Sequence, residues 1–259
     1  MPARLLVIAG SDSSAGAGLQ ADLKTAEAFG VYAQTAVTAV TAQDTNGVLA
    51  VTAVSPDMVR AQIDAALDDI GADAVKIGML ADAKVAAAVV EALADIQAPL
   101  VLDPVLISTS GTPLLAGTGI GILKNRLLPR AFLITPNLPE AEILTAVPMR
   151  SLEDCDKAAV RFQAMGCRRV LIKGGHGEGD TVRDVLYEAG RRILTLESPR
   201  QETRHTHGTG CALSTAIACG LAEGMAISEA VRRAHDFVQA AIRTAPGLGR
   251  GRGPLNFRP

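Results

Sequence analysis

Residues 5–25 read LLVIAGSDSSAGAGLQADLKT. The opening run, Leu5–Ala9, is short, aliphatic and ended by a glycine, which predicts a buried strand. From Gly18 to Phe29 apolar residues return at helical spacing. Strand, polar loop, helix is the unit from which parallel sheets are built. The alternation continues along the chain. Further strands are expected at Tyr32–Thr41, Ala74–Ile77, Leu100–Leu102, Phe132–Ile134 and Val170–Ile172. Helices are expected at Pro56–Asp69, Ala83–Leu93, Leu138–Thr145, Ser151–Met165, Thr209–Glu223 and Ile227–Thr244. Right-handed crossovers then give an α/β fold with a mainly parallel central sheet and helices on both faces. Val185–Tyr187 and Arg192–Leu196 flank Glu188-Ala189-Gly190 and read as a hairpin at one edge. Neither a linker nor a repeat interrupts residues 1–259, so one domain is expected.

Composition agrees. With 48% hydrophobic and 20% charged residues and no tryptophan, aliphatic side chains and alanine must fill a large core. A net charge of −2 gives no basis for a nucleic-acid or membrane surface. No apolar run reaches the roughly 18–20 residues needed to span a bilayer. The start, MPARLLVIAGSD, reads as a first strand rather than a signal peptide, so a cytoplasmic location is expected. Cys155, Cys167, Cys211 and Cys219 fit neither a zinc nor a disulfide spacing and read as reduced thiols. His176, His205, His207 and His235 lack metal-ligand spacing and read as positional or loop residues.

In open parallel sheets, ligands bind beyond the carboxyl ends of the strands. The loops that leave the expected strands read GSDSSAGAG, TAQDTNG, GML, DPV, TPNLPE and KGGHGEGD, and all carry small, polar or charged residues. In the first loop Gly16, Gly18 and Ala21 match a dinucleotide fingerprint, but too many polar residues separate them from the strand. Lys24-Thr25 lacks the preceding glycine of a P-loop. A substrate-facing loop, with Asp12 and three serines, is the better reading. The strongest local signal is Thr206-His207-Gly208-Thr209-Gly210-Cys211. Its glycines lead into a helix, where unpaired N–H groups carry partial positive charge and receive anions. Cys211 falls in the first turn, so its pKa is expected below the free value of about 8.5. Asp103, Glu140 and Glu142 are carboxylates that can organise Mg²⁺, which needs only one or two beside substrate phosphates. Asn137 and Glu140 also have the spacing of a capping box. Lys173 ends a strand before two glycines, where it can serve as a point charge on a phosphate.

The order of GSDSSAGAGLQADLKT, VTAVTAQDTNGV, KIGMLAD, LDPV, SGTPLL, LLPRAFLITPNLPEAEIL, IKGGH, THGTGCALSTAIA and GRGPLNF resembles the hydroxymethylpyrimidine and phosphomethylpyrimidine kinases of thiamin biosynthesis. The likeness runs from the first strand to the last residues. It implies a ribokinase-like three-layer α/β/α sandwich, MgATP as donor and a homodimer. It implies two transfers at one site, hydroxymethylpyrimidine to the monophosphate and then to the diphosphate. By the resemblance, Gly208, Thr209, Gly210 and Cys211 are the anion hole and catalytic position, with Thr206 beside the nucleotide. Gly10, Asp12, Gln43, Met79 and Val105 are the pyrimidine pocket. Lys173 holds phosphates, and Asp103, Asn137 and Glu140 place magnesium. Most ribokinase relatives have Asp where this chain has Cys211. Many members of the family have a lysine in an A-K-S-G stretch where this chain reads Ser108-Thr109-Ser110-Gly111.

On this reading, a Cys211 thiolate takes the alcohol proton in the first transfer, and the ionised phosphate of the second needs no base. Loss of Cys211 is then expected to harm the first step more. The glycine-rich Gly174–Asp180 segment is a candidate cover for the nucleotide. Competing readings are a pyridoxal kinase of the same fold, a dinucleotide-dependent oxidoreductase resting on the glycine fingerprint, and a nucleotide-binding protein without turnover.

Overall fold

Leu5 and Val7 face one side of the first strand, Leu6 and Ile8 the other, and all four are fully buried. A strand with two apolar faces requires a layer of helices on each. The computed structural model, which describes residues 1–259 apart from 108–110, 112, 116, 176 and 178, has that arrangement. The first strand, β1, spans Arg4–Asp12 and the first helix, α1, Gly18–Ala28. They are followed by β2 (Tyr32–Asp44), β3 (Gly47–Ala53), α2 (Pro56–Asp69), β4 (Ala74–Ile77), α3 (Ala83–Ala92) and β5 (Leu100–Leu102). A short helix, α4 (Thr118–Ile122), runs on through irregular turns to β6 (Leu133–Ile134). Next are α5 (Leu138–Thr145), α6 (Leu152–Ala164), β7 (Arg169–Ile172), β8 (Thr181–Glu188) and β9 (Arg191–Pro199). Two helices, α7 (Thr209–Ala222) and α8 (Ile227–Arg243), complete the order.

Among the described residues nine strands form one sheet in the order β3-β2-β1-β4-β5-β6-β7-β8-β9. Strands β2, β1, β4, β5, β6 and β7 pair in parallel, and β3, β8 and β9 add antiparallel edges. Leu6, Ile8, Val75, Ile77 and Ile134 meet the helices α2, α3, α5 and α6. Leu5, Val7, Val101, Leu133 and Leu171 meet α1, α7 and α8. The fold is thus the expected three-layer α/β/α sandwich.

Two differences from the sequence expectation are local. The TAQDTNG segment is not simply a loop. Strand β2 continues to Asp44, the chain turns at Thr45-Asn46, and Gly47–Ala53 returns antiparallel. The hairpin β8–β9 is longer than its apolar runs, with a two-residue turn at Ala189 and Gly190, both in the left-handed region (φ 50° and 69°). That matches the twist of the strands it joins.

Chain order reverses at β1, since β2 lies on one side and β4 on the other. A crevice opens at such a switch point, outside the carboxyl ends of the strands. Residues 10–12, 78–79 and 103–105 leave β1, β4 and β5 into it.

Candidate active site

The crevice holds a cavity of about 690 Å³, and the site residues expected from sequence, Glu142 excepted, reach its wall. Gly10 and Asp12 come from β1, Gln43 from β2, Met79 from the turn after β4, and Asp103 and Val105 from beyond β5. Asn137 and Glu140 belong to the start of α5, Lys173 follows β7, and Thr206, Gly208, Thr209, Gly210 and Cys211 lead into α7. Glu142 is not among them. It is exposed and accepts from the Met149 backbone N–H at 3.4 Å.

Helix α7 begins without a side-chain cap. Gly208 stands before it in the left-handed region (φ 84°), and a Cβ there would overlap the Gly16 carbonyl. Only glycine meets both conditions. The Thr209 N–H turns back to the Thr206 carbonyl at 3.3 Å. The next N–H groups, of Gly210 and Cys211, lie in the first turn, where no intrahelical acceptor exists. They face a cavity that also receives Lys173.

Lys173 Nζ is 3.0 Å from Asp103 Oδ1, with both side chains largely buried. Burial opposes its charge, but Asp103 and Glu140 outweigh burial and raise the lysine pKa. Asp103 also accepts from Thr135 Oγ1 at 3.0 Å. The capping box at α5 is formed: Asn137 Oδ1 accepts from the Glu140 N–H, and Glu140 Oε2 from the Asn137 N–H, both at 2.9 Å. Burial lifts the Glu140 pKa, with Lys173 pulling the other way. Asp103 and Glu140 both lie about the Lys173 ammonium, and among the described residues Glu140 has no hydrogen-bonded cation. That donor set fits a hard divalent ion carried in on a polyphosphate. Asn137 enters it chiefly as the helix cap.

The Cys211 expectation needs correction. Burial pushes its thiol up to about 11, and the nearby Asp22 and Asp103 carboxylates add to this. Lys76 and the Gly18 backbone N–H pull downward without prevailing. The helix start is outweighed by desolvation, which favours the neutral thiol over the expected thiolate.

Asp12 lines the cavity and is also tied into its own loop. It is buried, and its carboxylate accepts from the backbone N–H groups of Ser14 at 2.8 Å, Gly16 at 3.2 Å and Ala17 at 2.8 Å. Ser14 Oγ and His207 Nε2 each add a contact at 2.8 Å. Burial favours protonation, but His207 and Ser14 overcome it and hold the pKa below the usual carboxylate range. Gln43 and Met79 are half-buried and open to the cavity. Val105 adopts a positive φ of 20°, unfavourable for a β-branched residue and of the kind concentrated at ligand sites.

A family model described as phosphomethylpyrimidine kinase matches residues 12–256. The chain belongs to the phosphomethylpyrimidine kinase family. A hydroxymethylpyrimidine/phosphomethylpyrimidine kinase of Streptomyces coelicolor is 46% identical, the match covering 98% of this chain and 94% of that protein. Among solved structures, an ADP complex of Bacillus subtilis pyridoxal kinase superposes with a TM-score of 0.91 at 35% identity, covering 99% and 98% of the two chains. A phosphomethylpyrimidine kinase of Clostridium difficile gives 0.81 at 39% identity, covering 92% and 99%. The fold of this kinase and its ATP-binding character follow from these likenesses.

Three polar residues of the kinase were not singled out from sequence. Lys76, in the middle of β4, is fully buried and 2.7 Å from Asp22 Oδ2 of α1, which is equally buried. Thr215 Oγ1 of α7 donates to the other Asp22 oxygen at 2.7 Å. Burial disfavours the Lys76 charge, yet Asp22 outweighs it and raises the pKa. This charged unit lies under the start of α7, and Lys76 reaches the cavity wall. The available signal was a lysine within the apolar run Ala74–Ile77, since a charge in a central strand demands a partner. His207 is the other residue undervalued, because only the fold brings it to Asp12 and Gln43.

The changed 108–110 stretch, His176 and Glu178 of the candidate cover lie outside the described residues. Within the rest of that cover, the Arg200 guanidinium donates to the carbonyls of Gly175 at 3.0 Å, Gly177 at 2.6 Å and Gly179 at 2.7 Å.

Proposed function

We propose that the protein transfers phosphate from ATP to 4-amino-5-hydroxymethyl-2-methylpyrimidine, and then to the resulting monophosphate, in thiamin biosynthesis. One observation carries this reading. A single cavity joins Gln43, Met79 and Val105 to the bare N-terminus of α7 and to Lys173. The amide of Gln43 offers a donor and an acceptor to the edge of an aminopyrimidine. Met79 and Val105 enclose the ring. Leu213, Val238 and Ile242 line an apolar part of the same cavity and suit an adenine base.

The residues act by positioning and by charge. The N–H groups of Gly210 and Cys211 receive the transferring phosphoryl oxygens, whose charge spreads in a loose transition state. Lys173 leaves Asp103 for the phosphates once the nucleotide brings its own charge. Asp103 and Glu140 would hold Mg²⁺, which would neutralise phosphate charge. In a loose transition state the alcohol proton departs late, to an oxygen of the transferred phosphoryl group, so the neutral Cys211 thiol serves as wall and polar contact. The second transfer uses the same groups, with a phosphate oxygen as nucleophile.

Pyridoxal kinase is the second reading, favoured by the high superposition on the Bacillus subtilis enzyme. The 46% identity to the Streptomyces coelicolor protein supports the pyrimidine instead. A homodimer is proposed on the outer strands β2 and β3, where Val40, Leu49 and Val51 are exposed and β3 forms the edge of the sheet. A cytoplasmic location is proposed from composition, and among the described residues no helix is long and apolar enough to cross a membrane. Phosphorus NMR of the reaction mixture tests the assignment. The pyrimidine is expected to give a phosphomonoester signal that is replaced by a diphosphate pair. A product that stops at the monoester would remove the second transfer.

A further inference from the structure

The motif HGTGC and the loop GSDSSAGAG meet through one histidine. His207 is buried, its Nε2 lies 2.8 Å from Asp12 Oδ2, and its ring packs so closely on Gly16 that a Cβ there would collide with it. The same Nε2 is 3.4 Å from the amide end of Gln43 assigned as Nε2. The other amide end is 3.4 Å from Thr41 Oγ1.

Hydrogen-bond logic decides which end is which. An ionised carboxylate only accepts, so His207 Nε2 carries a proton aimed at Asp12. An amide NH₂ beside that N–H would set donor against donor. Thr41 Oγ1 gives its own proton to the Ser11 carbonyl at 2.9 Å and is therefore free to accept. The network is satisfied when the Gln43 oxygen faces His207 and its NH₂ faces Thr41, the reverse of the placed orientation; carbonyl and amide ends of Gln are assigned from such networks.

We infer that His207 is a specificity-determining positioning residue: clamped by Asp12, it fixes the Gln43 amide in one orientation and thereby selects an aminopyrimidine bound one way round. This rests on the proposed pyrimidine substrate. Along that ring the order is ring nitrogen, amino group, hydroxymethyl group. The Gln43 NH₂ donates to the ring nitrogen and its oxygen accepts from the amino group. The hydroxymethyl group then lies on the side of the amide oxygen, which is the side of His207 and, next in the chain, Gly208 and the anion hole. A reversed amide would turn the reacting alcohol away.

The test compares His207→Phe, which keeps bulk without the N–H, with His207→Gln, whose amide restores a donor. Steady-state kinetics are measured with the pyrimidine and with pyridoxal. His207→Phe is expected to lower kcat/KM for the pyrimidine about tenfold, in line with one lost oriented hydrogen bond, while the ATP KM is unchanged. His207→Gln should recover most of the loss. Gln43→Ala added to His207→Phe should cost little more, because both act through one amide. Should His207→Phe fail to fold, Thr41→Val removes the opposite amide partner and is expected to give the same loss. Equal kcat/KM in wild type and variant, absence of rescue by Gln, or additive losses in the double variant would overturn the role of His207. Wild type that turns over no pyrimidine would instead refute the proposed function, and this inference with it.

Discussion

Replacement of Lys76 by Met tests the buried charge pair beneath the anion hole. Lys76 and Asp22 are both fully shielded from solvent, at 2.7 Å. Methionine nearly preserves the volume, so packing is little disturbed. What remains is a buried Asp22 carboxylate with, among the described residues, Thr215 as its side-chain donor. Removing one partner of a buried pair costs about 3–5 kcal/mol. For a chain of this size that lowers Tm by roughly 6–20 °C. Burial already pushes the Asp22 pKa up, and without the lysine it rises further, so the carboxyl escapes part of the penalty by taking a proton. The loss is therefore larger at pH 8 than at pH 5, because lower pH favours the protonated folded form. Denaturant and thermal unfolding at both pH values measure it. Adding Asp22→Asn to Lys76→Met removes the stranded charge and is expected to recover at least half of the loss. A Lys76→Met cost under about 1 kcal/mol, or strictly additive losses in the double variant, would refute the reasoning.

Cys211→Ala is expected to slow both phosphorylations by the same factor, below about tenfold, with a kcat/KM that does not climb between pH 7 and 9. With its thiol pushed up to about 11, only about one molecule in ten thousand carries the thiolate at pH 7. A first step that rises tenfold per pH unit, and loses that rise in the variant, would restore the base role. Gly208→Ala, forced into the left-handed region against the Gly16 carbonyl, is expected to lower kcat at least about a hundredfold by displacing the anion hole. A folded variant with near-normal kcat would place the phosphoryl group elsewhere. Lys173→Met should reduce kcat by about 10²–10³ while calorimetric binding of the pyrimidine without ATP stays within about twofold. Unchanged turnover would remove Lys173 from phosphate binding.

The layer order and the ligand edge were legible because they rest on periodicity. Leu5 to Ile8 alternate between two buried faces, and the loops after the strands carry the polar residues. Strand β3 is signalled in sequence by the hairpin pair Asn46-Gly47, but the polarity of TAQDTNG gives that stretch the look of a loop. The glycine turn before α7 was readable as an anion site, since backbone geometry is a local property. The ionisation of Cys211 was not, since it depends first on how deeply the thiol is buried and then on the Lys76, Asp22 and Asp103 charges beside it. The partners of Asp12 were hidden for a related reason. Its bond to His207 spans 195 positions in sequence. The resemblance supplied the substrate class, which no residue pattern specified by itself.

The central claim is two successive transfers to an aminopyrimidine at one site. A coupled ADP-release assay with MgATP, run in parallel on hydroxymethylpyrimidine, its monophosphate and pyridoxal, tests it most directly. Turnover of both pyrimidine compounds, each exceeding pyridoxal in kcat/KM, is the predicted result. Turnover of pyridoxal alone would keep the fold and the anion hole but contradict the assignment of Gln43 and Met79 to a pyrimidine.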